Sequence, residues 1–456
     1  MRAAFTRDSL FAAVEPGETE HEYGPLRLLI AGRLHYRAPG GGSDAAVALE
    51  AYRRAGLAGL ARLEGDFSLL LIDGERRRLV ALRDPMGAYP LFWRRTPDGW
   101  AIGSSLAGLP GIADAPLDPA WLARRLIRGS ASAGGEDSTA FAGLARLPPG
   151  RTASFGFGAG YPLLGPAFDW TARIQCEAVG NPASAAADYR ARIEAAVGER
   201  LDGGVAAHVS GGMDSSAIAL LAARAADRVD GLALLFDASE TLRQEGDFVE
   251  LVRDPRLHLH RLRGETDFTG WNAIAPHAEP TPWLFRTGQD LGLIAAAARA
   301  GARTILTGEG ADEILAVPPL EILDWALRLR LRRAHREASN WALATGTTSW
   351  RVLASLGADR LPFRAAPHPP AWIQPDFART SGWRRAAGRE GMAERSRSPG
   401  LVLAHLLAQI ARMTGDWANE AIAHPQRIHI AHPFRDPRVI AFGAAARLKF
   451  GADPVP

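Results

Sequence analysis

The chain is poor in the residues that bring thiol and amine chemistry. Its 456 residues include one cysteine, Cys176, and of the 53 basic side chains only Lys449 is a lysine, leaving 52 arginines. A single thiol excludes an internal disulfide and a cysteine-built metal site, and it suits a reducing compartment. No apolar run is long enough to span a membrane, and the start, Met1-Arg-Ala-Ala-Phe-Thr-Arg-Asp, lacks an apolar signal-type segment. A cytoplasmic chain with no membrane partner is therefore expected. The formal net charge is only +3. The densest basic runs are Arg76-Arg77-Arg78 and Arg328 to Arg336, and the second reads as a solvated helix face, so nucleic acid is not an expected partner. Arginine in this abundance favours carboxylates and phosphates, which its guanidinium recognises with two parallel bonds.

The length allows two or three domains with ample cores. One stretch, Val205 to Ala223, carries the clearest chemistry. It reads as a short buried strand (Val205 to Val209), a tight Ser210-Gly211-Gly212 loop and an apolar helix opening near Asp214. Glycines let backbone approach a ligand closely, and the N–H groups of the loop and first helical turn suit an anion such as phosphate. No Gly-Lys-Ser/Thr follows, so this is not a Walker A loop. Asp214 and Ser215 stand where a side chain caps the helix, holds a metal ion or touches phosphate oxygens.

The α/β alternation that follows is regular. Strands are expected at Leu232 to Phe236, Leu257 to Leu262 and Arg303 to Thr307, and helices at Glu245 to Arg253 and Asp290 to Ala300. Such alternation gives a parallel sheet with helices on both faces and ligands at the carboxyl ends of its strands. His258 and His260 share one strand face and read as two polar surface residues. At a strand end lies Thr307-Gly-Glu-Gly-Ala-Asp-Glu-Ile314. Its carboxylates would repel phosphate unless a divalent cation lies between, so Asp214 and Asp312, from different strand ends, become candidate ligands of such a cation, Mg²⁺ for instance, facing the phosphate.

The first part of the chain differs. Short strands are expected at Leu26 to Gly32, Phe67 to Asp73, Arg78 to Arg83, Tyr89 to Trp93 and Trp100 to Gly103, with a helix from Asp44 to Arg62. This is the pattern of an α+β domain of stacked sheets. Residues 316 to 400 are rich in Arg, Trp and Pro and less legible. Core packing is expected for most tryptophans among 325, 341, 350, 372 and 383, although they could line a peptide groove.

Five segments carry a family resemblance. The strand–Ser-Gly-Gly-Met-Asp-Ser–helix unit resembles the pyrophosphate loop (PP-loop) of ATP pyrophosphatases. Leu63 to Asp73, Arg83 to Trp93 and Ile102 to Ala107 resemble the glutaminase half of asparagine synthetases, and His432-Pro-Phe-Arg-Asp436-Pro-Arg-Val resembles that family's Pro-Phe-Leu-Asp-x-Arg-Val segment. The fold implied is α/β: an N-terminal-nucleophile αββα sandwich over residues 1–165, a linker over 166–185, and a PP-loop-type parallel α/β domain over 186–456. By the same resemblance Val209, Leu235, Thr307 and Gly308 would touch adenosine. Ser210, Gly211, Gly212 and Ser215 would touch the phosphates, with Asp214 joining Asp312 on Mg²⁺.

The sequence also departs from the family. Position 2 is Arg2 where the family exposes a cysteine nucleophile, so the glutaminase reaction has no attacking group. Four residues before Pro433, where these synthetases commonly carry a glutamate, stands His429, a side chain able to act as base near neutral pH. The family's C-terminal lysine has one candidate, Lys449, which follows Asp436 sooner than usual. His429, Lys449 and Glu309 are accordingly the catalytic candidates. The chemistry implied is ATP-dependent, AMP-forming amide ligation, and the variant most resembled is the lasso-peptide macrolactam synthetase. Its partners would be a precursor core peptide, a leader peptidase and a leader-binding protein. An ammonia-dependent asparagine synthetase, a beta-lactam synthetase and an inactive ATP-binding scaffold remain open at this point.

Overall fold

The computed structural model describes residues 1–6, 10–14, 18–36, 42–128, 137–156, 160–238, 240–264, 287–316, 318–358, 369–383, 400–416 and 418–451. In chain order the first part comprises β1 (Arg2–Thr6), β2 (Leu10–Ala13), β3 (Thr19–Tyr23), β4 (Leu26–Leu34), α1 (Asp44–Leu60), β5 (Gly65–Asp73), β6 (Arg78–Arg83), β7 (Phe92–Thr96), β8 (Gly99–Gly103), α2 (Pro119–Arg128), β9 (Leu144–Arg146), β10 (Arg151–Gly156) and β11 (Leu163–Ala167). The second comprises α3 (Trp170–Gln175), α4 (Pro182–Gly198), β12 (Gly204–His208), α5 (Met213–Ala225), β13 (Val229–Leu235), α6 (Glu240–Val249), β14 (Leu257–Arg263), α7 (Thr287–Arg299), β15 (Ala302–Leu306), α8 (Ala311–Leu315), α9 (Glu321–Leu327), α10 (Leu331–Ala344), α11 (Ser349–Ala358), α12 (Pro375–Thr380), α13 (Leu401–Arg412), β16 (His429–Ala431) and α14 (Pro437–Phe450).

Two antiparallel sheets stack in the first part, in orders β2-β1-β8-β7-β9 and β11-β10-β6-β5-β4-β3. Their shared core is built from alternate residues of both sheets: Ala3, Trp100 and Ile102 from one, and Leu29, Leu70, Ile72, Leu79 and Phe155 from the other. The intervening residues Leu28, Ile30, Leu69, Leu71 and Val80 face α1, through Ala45, Ala48, Leu49 and Tyr52. β5 is thus covered on both faces, which is why it reads as an almost unbroken apolar run. The outer face of the first sheet packs against Leu106, Leu109 and Ile112. The second helical layer of the expected αββα order is not seen there among the described residues. The N-terminal amine is buried against Glu18 and lies 2.7 Å from Ser104 Oγ.

The strand expected at Tyr89 to Trp93 begins later, at Phe92. Asp84 takes the N–H groups of Met86 (2.8 Å), Gly87 (2.8 Å) and Ala88 (2.9 Å), which ties this stretch into a turn. The linker is also more ordered than expected. Asp169 accepts from the Ala172 N–H to cap α3, and Ile174 of that helix is buried beside α13 and α14.

The remaining sheet has order β14-β13-β12-β15-β16, every pair parallel. Val205, Ala207 and Val209 face α4 and α5, while Ala206, Leu232 and Ile305 face α7. Helices therefore cover both faces, and the strand ends are free to build a site. Pro437 at the first helical position and Asp436, whose carboxylate accepts from the Arg438 N–H at 3.0 Å, start α14. The helix expected to run from Gly400 to Asn419 stops at Arg412. Gly415 takes a positive φ of 78° and Asp416 caps the next turn through the Asn419 N–H. The expected helix Glu245 to Arg253 is shifted to Glu240–Val249. In the arginine-rich middle, α9, α10 and α11 enclose Trp325 and Trp341, whereas Trp350 and Trp372 are exposed. Among the described residues no helix is long and apolar enough to cross a membrane.

Candidate active site

Three neighbouring strands end on the same side, and each carries one of the motif loops. β12 runs into Ser210-Gly211-Gly212, where Gly211 turns with φ 78°, and α5 starts at Met213 with no side-chain cap on its first N–H groups. Ser215 ties the loop back: its Oγ accepts the Ser210 N–H at 3.0 Å and lies 2.7 Å from Ser210 Oγ. Backbone donors of the helix start are thus left for an anion. Val209, buried, donates its N–H to Leu232 O at 2.9 Å, and Leu235 closes the adjacent β13.

β15 ends in the second glycine-rich turn, which is wedged between the other two. A Cβ on Gly308 would lie 2.4 Å from Ser215 N and 2.8 Å from Asp214 C, so the turn lies directly on the start of α5. Gly310, at φ 110°, gives way on its other side to Phe434 and Arg435, where a Cβ would meet Arg435 Cγ at 2.9 Å. Both glycines are required by close approach, and they bring three sequence-distant segments into one site.

Asp214, Asp312 and Glu313 lie near enough for their charges to act on one another. Burial raises the Asp214 pKa, and the charges of Asp312 and Glu313 raise it further. Such mutual repulsion fits a donor set awaiting a cation. Among the described residues no three His, Cys, Asp or Glu side chains form a complete metal site. Asp214 and Asp312 would supply part of a Mg²⁺ shell, the usual arrangement when nucleotide phosphates supply much of the rest.

The catalytic candidates are placed less uniformly. Glu309 lies on the turn, half exposed, and accepts from Arg435 Nη2 at 2.6 Å. His429 pairs with Thr304, three residues before the turn, and points to the first domain: its Nε2 is 3.6 Å from Asp66, and its ring stacks with Tyr89 and His424. The histidine at the strand end is instead His432. Its Nδ1 is 2.6 Å from Thr307 Oγ, its Nε2 is 2.7 Å from Asp416, and its Nδ1 is 3.9 Å from Glu309. Lys449 donates to the carbonyls of Val179 and, at 2.8 Å, Gly180. Its cation therefore caps the linker, whereas the charges acting on Asp214 come from Asp312 and Glu313.

Sequence reasoning missed His432, Asp416 and Arg435. For His432 and Arg435 the one available signal was their closeness to Pro433-Phe434, since the register that puts His432 at the strand end appears only when β16 pairs with β15; Asp416 lies 17 positions before Pro433 and had none. Asp416 is largely buried, which opposes its ionisation, but the bond and charge of His432, then Arg435 and the Asn419 N–H, hold it well below the usual carboxylate range.

A buried ionic cluster joins the two parts beside this site. Arg200, at the end of α4, holds Asp66 with two 3.1 Å bonds and Asp436 at 3.0 Å; Tyr36 also donates to Asp436, at 2.8 Å. His35 stands 3.6 Å from Asp66; burial, then the Arg200 charge, lowers its pKa to about 4.

Known proteins match in the same two parts. A glutamine amidotransferase domain model matches residues 29–159 and an asparagine synthase model residues 188–449. A putative glutamine-hydrolysing asparagine synthetase of Mycobacterium tuberculosis is 27% identical over 289 residues, covering 59% of this chain and 42% of that protein. The amidase chyE of Penicillium rubens is 25% identical over 341 residues, covering 67% and 47%. The chain thus spans less than half the length of these relatives. An NH3-dependent NAD synthetase from Campylobacter jejuni aligns with 51% of this chain and 98% of its own, at 13% identity and a TM-score of 0.22, too low for any argument.

Proposed function

Because this chain belongs to the asparagine synthase family, whose model spans more than half its length, we propose that it is an ATP-dependent, AMP-forming amide ligase that closes a macrolactam within a peptide. The observation that carries the ligase reading is the seating of Gly308 on Asp214 and Ser215, which makes one site of the anion loop and the acidic turn. The donors of Ser210 to Ser215 would hold phosphates, with Val209, Leu235, Thr307 and Gly308 beside the nucleoside. Asp214 and Asp312 would hold Mg²⁺, which when bound offsets phosphate charge. A substrate carboxylate then attacks the α-phosphorus, pyrophosphate leaves, and an amine displaces AMP from the acyl-adenylate. Two anions must meet in the first step, so oriented N–H donors and a cation provide the stabilisation it needs.

The choice of a peptide substrate rests on the amine source. The single thiol, Cys176, caps α3 in the linker, and position 2 is Arg2, so the two-sheet sandwich contains no thiol to release ammonia from glutamine. An amine belonging to the substrate meets that lack. The arginine- and tryptophan-rich middle, with Trp350 and Trp372 exposed, offers charge and apolar surface to a chain longer than one amino acid. An Asp or Glu side chain of a precursor peptide closing on its own α-amine is the reaction, with a leader peptidase and a leader-binding protein as expected partners. Asparagine synthesis from free ammonia is the second reading, favoured by the mycobacterial relative. Mass spectrometry separates them: the first gives peptide lighter by one water together with AMP, the second gives asparagine from aspartate. Asp214→Ala abolishes turnover under either, whereas a non-catalytic scaffold would lose nothing.

A further inference from the structure

Asp416 and His432 have no task in the reaction as described above, yet they make a 2.7 Å contact at the strand ends. With Asp416 ionised, His432 Nε2 must carry the proton of their 2.7 Å bond. Nδ1 then presents a lone pair toward the turn, accepting the Thr307 hydroxyl at 2.6 Å. The Thr307 oxygen in turn accepts the Glu309 N–H at 3.3 Å. The charged groups facing the imidazole are Asp416 behind it, Glu309 3.9 Å in front, and Arg435, which binds Glu309. A base held by a largely buried carboxylate, with the lone pair of its other nitrogen turned to the glycine-rich turn, is the arrangement by which an imidazole takes up a proton and keeps it.

We propose that Asp416–His432 is a proton-holding positioning pair for the amide-forming step, acting through Glu309 and Thr307; the proposal rests on the ligase reading. In that step the amine nitrogen forms the C–N bond to the acyl carbon, the bond from that carbon to the AMP oxygen breaks, and AMP leaves with its electron pair. The surplus proton on nitrogen passes to the Glu309 carboxylate and from there to His432 Nδ1. The resulting imidazolium lies between two carboxylates, the Thr307 hydroxyl changes from donor to acceptor, and solvent later takes the proton. The imidazole beside Glu309 completes the transfer. Adenylation moves no proton to this side, so only the second half-reaction depends on the pair.

The test separates the half-reactions in the full chain. Pyrophosphate–ATP exchange reports adenylation; amide product is read by mass, with aspartate plus ammonia and with a core peptide bearing an Asp or Glu and a free α-amine. Asp416→Asn and His432→Gln are each expected to slow amide formation about 10- to 100-fold, below the full general-base effect because the pair acts at one remove. Exchange is expected to stay within about threefold. Equal loss in both half-reactions, or no loss in either, overturns the proposal. If His432→Gln melts at assay temperature, Asp416→Asn, which keeps the shape of the site, decides alone. A wild-type chain that exchanges with neither substrate overturns the ligase reading and this pair with it. Exchange in the wild type with full amide formation in Asp416→Asn overturns only the pair.

Discussion

Gly308→Ala adds one carbon at the place where the two motif loops touch. The new Cβ would lie 2.4 Å from Ser215 N and 2.8 Å from both Asp214 C and Ser215 Cα, all of them backbone atoms. Ordinary carbon contacts sit near 3.5–4.0 Å, so the turn must retreat from α5 by about 1 Å. Gly308 does not have a positive φ, and the substitution therefore acts through volume alone. Overpacking of this kind costs about 1–3 kcal/mol, and a displacement of about 1 Å between Asp214 and Asp312 is expected to slow pyrophosphate exchange about 100-fold. Gly357→Ala is the control. It lies in α11 with nothing within 4 Å of its would-be Cβ, so stability should hold or rise by up to about 1 kcal/mol. Exchange kinetics and thermal melts of both proteins decide the matter. A Gly308→Ala variant with wild-type exchange and melting temperature would show that the two loops do not work as one site.

The other expectations are narrower. Asp214→Asn should lose exchange at least about 100-fold while melting no lower than wild type without nucleotide, because burial, Asp312 and Glu313 already disfavour its charge; a large fall in melting temperature would make Asp214 structural. Lys449→Ala should cost about 1 kcal/mol from the lost linker bonds and leave exchange within a few-fold, whereas a drop of several hundredfold would place its ammonium in the reaction. His35 is buried and its pKa is lowered to about 4, first by burial and then by Arg200. The unfolded chain therefore binds a proton that the folded one refuses between pH 6.5 and 4. Stability present above pH 6.5 should fall across that window by about 3 kcal/mol. Urea titrations of wild type and His35→Gln check this, and equal pH slopes in the two would refute it.

Legibility in the sequence follows the range of the contacts. β5 and β6 could be read because alternate residues are claimed by two cores, and the loop at Ser210 because its glycines, serine and aspartate act within six residues. Gly308 was visible as a glycine in a motif, although its reason, the backbone of Asp214 and Ser215, lies over ninety positions away. His432 was passed over for His429 because strand register, and no local pattern, decides which histidine reaches the turn. The Asp66–Arg200–Asp436 cluster draws on both parts of the chain, and each member alone reads as an ordinary polar residue. The helices α9 to α11 were obscured by arginines that lie on the solvent side of short, amphipathic segments.

The most direct test of the central claim is pyrophosphate release from Mg-ATP with a core peptide encoded beside the gene, followed by the mass of the peptide. Macrolactam formation predicts peptide-dependent AMP and pyrophosphate and a product lighter by one water. Release with aspartate and ammonia but not with the peptide would contradict it and return the chain to asparagine synthesis.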